Sequence, residues 1–142
     1  MVKTITTLLT TFTVTFGVTW ECFKSAGQYY GVDPYLLYSI AWVESRLNPL
    51  ALNKNRNGTF DRGVMQINSS WDRYLKRYGV DLSLVWDACY NIHLGAMILR
   101  RCINIYGNSW RAVDCYNKGS RARDNSVYVW NVYRVWTSLF QR

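Results

Sequence analysis

Beyond Trp20 the chain is punctuated as a helical protein, segment after segment, and the punctuation fails in one place. Residues 20–30 read as a short helix stopped by Gly31. Asp33-Pro34 then supplies an N-cap and a proline at the first helical position, so a second helix follows over Tyr35 to Arg46 until Asn48-Pro49 stops it. Helical spacing returns after a Ser69/Ser70 cap and runs to Tyr78-Gly79. A longer apolar helix spans about Asp87 to Tyr106, its face marked by Ile92, Ala96, Leu99 and Ile103. Ser109 caps another from Trp110 to Asn117, stopped by Gly119, and a last helix runs from about Asn125 to the C-terminus. Between Leu52 and Asn68 the sequence LNKNRNGTFDRGVMQIN has no helical period and carries an Asn57-Gly58 turn. The expected class is a single, mainly α domain with little or no strand.

At 142 residues, 49% of them hydrophobic and 16% aromatic, the chain can bury a real core and is neither disordered nor repetitive. Its net charge of +8 predicts a polyanionic partner. Arg100-Arg101, Arg121 and Arg123 form no long basic run with an aromatic code, so no nucleic acid is expected; an anionic membrane surface and an acidic polymer both stay open.

Lys3 is the only charge before Glu21, and the intervening stretch is uncharged, threonine-rich and fairly apolar. It reads as a secretory signal peptide over residues 1–19, leaving 20–142 as the domain, with no stable membrane insertion after cleavage. An uncleaved anchor and a buried strand are the competing readings; the run is marginal for a hydrocarbon core of about 30 Å. Export suits the cysteines. Cys22, Cys89, Cys102 and Cys115 are even in number and show no CxxC spacing, so disulfides are expected and a zinc site is not. Of the three connectivities, Cys22–Cys89 with Cys102–Cys115 is favoured, because the second pair joins successive helices across the turn at Gly107.

One carboxylate stands where a hydrophobe is expected. In the second helix Leu36, Leu37, Ile40, Ala41 and Leu47 follow the spacing of a core face, and Glu44 falls on the same stripe. Desolvation there raises a carboxyl pKa, which is what a general acid near neutral pH requires. The other reading is a helix-end glutamate that reaches solvent or pairs with Arg46. Asp61 lies past the Asn57-Gly58 turn, and a carboxylate pair converging from a helix and a polar loop is the equipment of glycoside cleavage. A solvated turn residue is the alternative for Asp61. Asn53, Asn55, Asn57, Gly58, Thr59 and Asp61 also mimic part of a calcium loop. Asn stands at its first position and Val64 at its last, where a bidentate Glu belongs, so no metal is expected. His93, the sole histidine, is expected to be structural, and no cofactor is implied.

Four separated motifs occur in order: Glu44-Ser45, then Gly63-Val64-Met65-Gln66-Ile67-Asn68, then Ala112 through Tyr116-Asn117 with Gly119, then Tyr128-Val129. With them the chain resembles the small lytic transglycosylases, lysozyme-like enzymes that accompany type III and type IV secretion systems and pili, over nearly everything from Cys22 to Val132. The resemblance implies a lysozyme-like α fold, a bacterial periplasmic location, peptidoglycan as partner and cleavage of the β-1,4 bond between N-acetylmuramic acid and N-acetylglucosamine. It implies Glu44 as acid and base, Tyr116 hydrogen-bonded near that acid, and Ser45, Met65, Gln66, Asn68 and Asn117 in the sugar site. It requires no second acid, so Asp61 is expected to assist by stabilising an oxocarbenium-like transition state, or to permit true hydrolysis. Two rival readings follow: a lysozyme-type hydrolase using both carboxylates, and a catalytically idle peptidoglycan-binding component of an envelope machine.

Overall fold

The structure, a computed structural model, describes residues 17–140, so most of the expected signal segment over 1–19 lies outside the described residues. Six α-helices follow in chain order: α1 Trp20–Tyr30, α2 Pro34–Ser45, α3 Asp72–Arg77, α4 Ala88–Tyr106, α5 Trp110–Lys118 and α6 Val127–Ser138. Three short strands, β1 Leu52–Lys54, β2 Phe60–Arg62 and β3 Ile67–Asn68, lie between α2 and α3.

The caps act as the sequence predicts. Gly31 ends α1 in the left-handed region (φ 65°), and the Asp33 carboxylate accepts from the Tyr35 N–H at 2.9 Å to start α2. The other Asp33 oxygen accepts from Trp136 Nε1 at 2.8 Å, which draws the end of α6 onto the start of α2. The long helix α4 is the spine: it packs against α1 on one side and α5 on the other, burying Ile92, Leu94, Ala96, Ile98 and Leu99. Both favoured disulfides are present. Cys22–Cys89 ties α1 to the start of α4 across Cα atoms 5.1 Å apart, and Cys102–Cys115 ties α4 to α5 across 5.8 Å. His93 has a structural place on α4, its Nε2 3.0 Å from Ser25 Oγ. Among the described residues no helix is long and apolar enough to cross a membrane.

Three expectations need adjusting. The stretch without helical period is a three-stranded antiparallel sheet in the order β1-β2-β3, with Asn53 opposite Asp61 and Asp61 opposite Asn68. Strands of two or three residues are too short to display a period-two pattern. Leu47 is not on the α2 stripe, because the helix ends at Ser45 and Leu47 takes φ 63°. The segment after Ser69 opens with a 3-10 turn, Ser69–Trp71, whose cap is Asn68: its Oδ1 accepts from the Ser70 N–H at 2.9 Å.

The sheet is locked onto the helical core by close approaches. Asn91, buried on α4, accepts from the Met65 N–H at 2.7 Å and donates to the carbonyls of Arg62 at 3.0 Å and Val85 at 2.8 Å. A Cβ on Gly63 would stand 2.6 Å from that amide, and one on Gly95 would stand 2.6 Å from the Met65 methyl. Arg62, itself buried, pairs with Asp72 at 2.6 Å and donates through Nε to the Ile67 carbonyl, fastening β2 to α3 and β3. A segment of polar sequence is thereby fastened to the helical core at several points.

Candidate active site

α2 carries the apolar residues Leu37, Ile40 and Ala41 into the core, and Glu44 continues their line where the helix reaches a cleft. The carboxyl is pushed up to about 7, first because burial disfavours its charged form; the Tyr128 hydroxyl beside it lowers it and the Asp61 charge raises it further. Glu44 is half-buried at the end of the apolar face, and it does not pair with Arg46, which turns over the Trp42 ring, 5.2 Å from its centroid.

Directly behind Glu44 the backbone reverses. Arg46 and Leu47 adopt φ 54° and 63°, and Gln66 adopts φ 51°, all non-glycine residues in the left-handed region. Such conformations cost of order 1 kcal/mol each and persist where surrounding contacts impose them. Here Ser45 supplies one: its Oγ donates to the Val64 carbonyl at 2.7 Å, with the Ala41 carbonyl at 3.2 Å. Gln66 supplies another, donating through Nε2 to the Ala51 and Gly63 carbonyls at 3.1 and 3.0 Å.

Asp61 reaches the cleft from β2 in a different setting. One of its carboxylate oxygens accepts from Asn68 Nδ2 at 2.7 Å, and the other from Asn55 Nδ2 at 3.1 Å and Asn53 Nδ2 at 3.4 Å. The β1–β2 turn that brings Asn55 there is itself closed: the Gly58 N–H donates to the Asn55 carbonyl at 3.1 Å, and the Asn55 N–H to the Thr59 carbonyl at 2.8 Å. Of the asparagines that imitate calcium ligands in the sequence, Asn53 and Asn55 thus serve as amide donors to Asp61, while Asn57 accepts from Thr59. Among the described residues no three His, Cys, Asp or Glu side chains cluster to hold a metal ion.

The opposite wall is α5 and the 3-10 turn Gly119–Arg121. Tyr116 is buried and donates its hydroxyl to the Met65 carbonyl at 2.6 Å, so it grips the turn between β2 and β3 rather than Glu44. Burial, then the charges of Glu44 and Asp61, hold its pKa well above the usual tyrosine range. The same factors, burial first and then Glu44, raise Tyr128, whose buried hydroxyl faces Glu44 and, among the described residues, reaches no partner at standard hydrogen-bond geometry. Tyr128 is fixed from below. Buried Asp114 accepts from Lys118 Nζ, Ser126 Oγ and the Arg123 N–H, and Ser126 caps α6 two residues before Tyr128. Burial pushes Asp114 up, but those donors outweigh it and leave its pKa low.

The cleft between these walls measures about 630 Å³ and is predominantly polar. It gathers Glu44, Asp61, Tyr116, Gln66, Asn68 and Asn117 from the residues singled out in the sequence. It does not gather Ser45 or Met65. Ser45 spends its hydroxyl on the Val64 carbonyl, and Met65 is fully buried against Gly95, filling the core as methionine commonly does. The sequence reading missed Trp71, which lines the cleft beside Tyr74, and the nearness of Tyr128 to Glu44. Tyr128 had a signal, the fourth motif; Trp71 had none beyond being one of seven tryptophans.

The chain is similar to known proteins in sequence and in fold. The family model described as the transglycosylase SLT domain matches residues 21–128. The chain is 36% identical to the invasion protein IagB of Salmonella typhimurium (strain SL1344) over 117 residues, 82% of this chain and 73% of that protein. It is 37% identical to the X polypeptide of Escherichia coli (strain K12) over 125 residues, 84% of this chain and 74% of that one. Protein IpgF of Shigella flexneri is 34% identical over 118 residues, 80% and 78% of the respective chains. Among solved structures, an inactive mutant of the lytic transglycosylase Slt from Pseudomonas aeruginosa superposes with a TM-score of 0.66 at 16% identity. That alignment covers 84% of this chain and 23% of the other, and it shows a shared fold.

Proposed function

The chain belongs to the SLT transglycosylase domain family, the peptidoglycan lytic transglycosylases, and from that premise we propose that Glu44 performs both proton transfers of an intramolecular cleavage. The observation that carries the reading is a carboxyl with pKa about 7, desolvated at the end of α2 and open to the cleft. In its protonated form Glu44 gives its proton to the glycosidic oxygen between N-acetylmuramic acid and N-acetylglucosamine, and the C1–O bond breaks. The resulting carboxylate accepts the proton of the muramyl 6-hydroxyl as that oxygen bonds to C1, which leaves a 1,6-anhydro end and restores the acid. Both steps use one group whose pKa sits near ambient pH, and the attacking hydroxyl is already tethered to the reacting sugar. Tyr128 faces the carboxylate through the cycle, and Asp61 lies where a fixed negative charge would stabilise positive charge developing at C1.

Mass spectrometry of muropeptides released by the purified protein tests this, since anhydro and reducing ends differ by one water. Products one water lighter are expected. Reducing ends throughout would assign the chain to hydrolysis with Asp61 as the second carboxylate, a reading favoured by the three amides that orient it.

The same proposal places the protein in the periplasm, opening the wall for an envelope-spanning secretion system or pilus. It is supported by two disulfides and by the likeness to IagB and IpgF. The intact mass of protein recovered from the periplasm is expected to lack the first residues and four thiol hydrogens. A full-length, fully alkylatable chain would overturn export.

A further inference from the structure

Three cations line the cleft: Arg56, Lys118 and Arg121. They are not equivalent. Lys118 is spent inside the protein, paired with buried Asp114 and lying 5.6 Å from the Tyr128 ring centroid. Arg56 and Arg121 are exposed, and among the described residues neither guanidinium has a carboxylate, carbonyl or aromatic partner. Their backbones are nonetheless held. Arg56 sits inside the closed Asn55–Thr59 turn that orients Asp61, while Arg121 ends a 3-10 turn whose Ala122 N–H donates to the Gly119 carbonyl at 3.2 Å. The Ala122 carbonyl in turn accepts from Arg111 Nε at 3.2 Å. One arginine therefore stands on the sheet wall and the other on the α5 wall of the same cleft, each on a rigid base with its charge unused.

The sugar backbone of peptidoglycan offers these arginines no charge, whereas the stem peptides attached to the muramyl residues offer several carboxylates. Nor do the arginines serve the acid, because what moves Glu44 is burial, Tyr128 and Asp61. We propose that Arg56 and Arg121 bind stem-peptide carboxylates of the substrate and make the enzyme selective for peptide-bearing glycan over bare glycan. This rests on the reading of the cleft as a peptidoglycan site. A guanidinium suits the task because it stays charged and meets a carboxylate with two parallel N–H donors.

The test is a binding measurement on the full chain carrying Glu44→Gln, which retains the cleft while removing the transferable proton. Two ligands differ only in charge: a muramyl-containing oligosaccharide with free stem-peptide carboxyls, and the same compound with those carboxyls amidated. Combined Arg56→Gln and Arg121→Gln should weaken binding of the free-acid ligand about five-fold or more and of the amidated ligand less than about two-fold. Lysine at both positions should restore part of the difference, and raised salt should erase it. Equal weakening for both ligands, no weakening for either, or no binding by the parent would overturn the inference. Arginine-dependent selectivity in a wild-type chain that releases no anhydro product would sustain it and sink the proposed chemistry instead.

Discussion

Glu44 and Asp61 face one cleft from two kinds of scaffold, and they are prepared in opposite ways. Glu44 comes off the apolar stripe of α2, is partly buried, and has the Tyr128 hydroxyl beside it. Asp61 comes off a polar strand and is clasped by three asparagine amides from its own sheet. A carboxyl that must give up and regain a proton is served by desolvation, which brings its pKa toward ambient pH. A carboxylate that only has to present charge is served by donors that fix its direction without needing burial. On the proposed mechanism the hydrophobic helix makes a titrating group, and the asparagine-rich hairpin makes an electrostatic one.

The difference can be broken first at its stronger end. Glu44→Gln keeps the shape of the side chain and removes proton transfer, so peptidoglycan clearance should fall by about 10²-fold or more with folding retained. The same variant should report on stability. A carboxyl whose folded pKa is raised above its unfolded value loses relative stability as pH climbs through that interval, from about 4.5 toward about 7. Thermal melts should therefore show the Gln variant gaining on wild type as pH rises from 4 to 8, by up to about 3 kcal/mol for a shift of this size. A gap that stays constant with pH would mean Glu44 is not desolvated.

Asp61→Asn should cost about ten-fold, smaller than the loss at Glu44, and the loss should fall on turnover rather than on affinity, because the charge acts where positive charge develops. An unchanged rate would reduce Asp61 to a fold element of the hairpin. A still smaller effect, about three-fold, is expected for Asn68→Ala, which releases one oxygen of Asp61 while the carboxylate remains. In the Asp61→Asn background the Asn68 substitution should add almost nothing, and an additive loss would show that Asn68 acts on sugar directly.

The mildest change sharpens the Glu44 side. Tyr128 lowers the Glu44 pKa while burial raises it, so Tyr128→Phe should move the acid's titration upward. The rate at neutral pH should change by less than about two-fold, while the alkaline limb of the pH profile shifts to higher pH. A downward shift would show that Tyr128 acts chiefly by burying the carboxyl.

Much of the helical frame was legible because its signals are local. Asp33-Pro34, Ser109 and the stop at Gly31 each state a boundary within a few residues, and the structure places helix ends there to within a residue or two. The stripe of Leu37, Ile40 and Ala41 likewise exposed Glu44 as an anomaly, since a carboxylate in an apolar register is visible without knowing what packs over it. The pairing of the cysteines was favoured on the same local ground, the turn at Gly107 between two helices.

What the sequence could not carry was anything set by residues far apart in the chain. Met65 and Gln66 are neighbours in one motif, yet the first fills the core against Gly95 and the second lines the cleft, because the Asn91 bracket on Met65 and the left-handed backbone of Gln66 turn the chain between β2 and β3. The resemblance puts Tyr116 beside the acid and gives Tyr128 no role, whereas packing gives the first to the Met65 carbonyl and the second to Glu44. Residue type and periodicity determined by themselves that this chain is helical, disulfide-linked and armed with a misplaced glutamate. Which groups surround that glutamate, and hence how far its proton is held toward neutral pH, was decided by the tertiary structure, since desolvation is a property of everything packed around an atom and of no single stretch of chain.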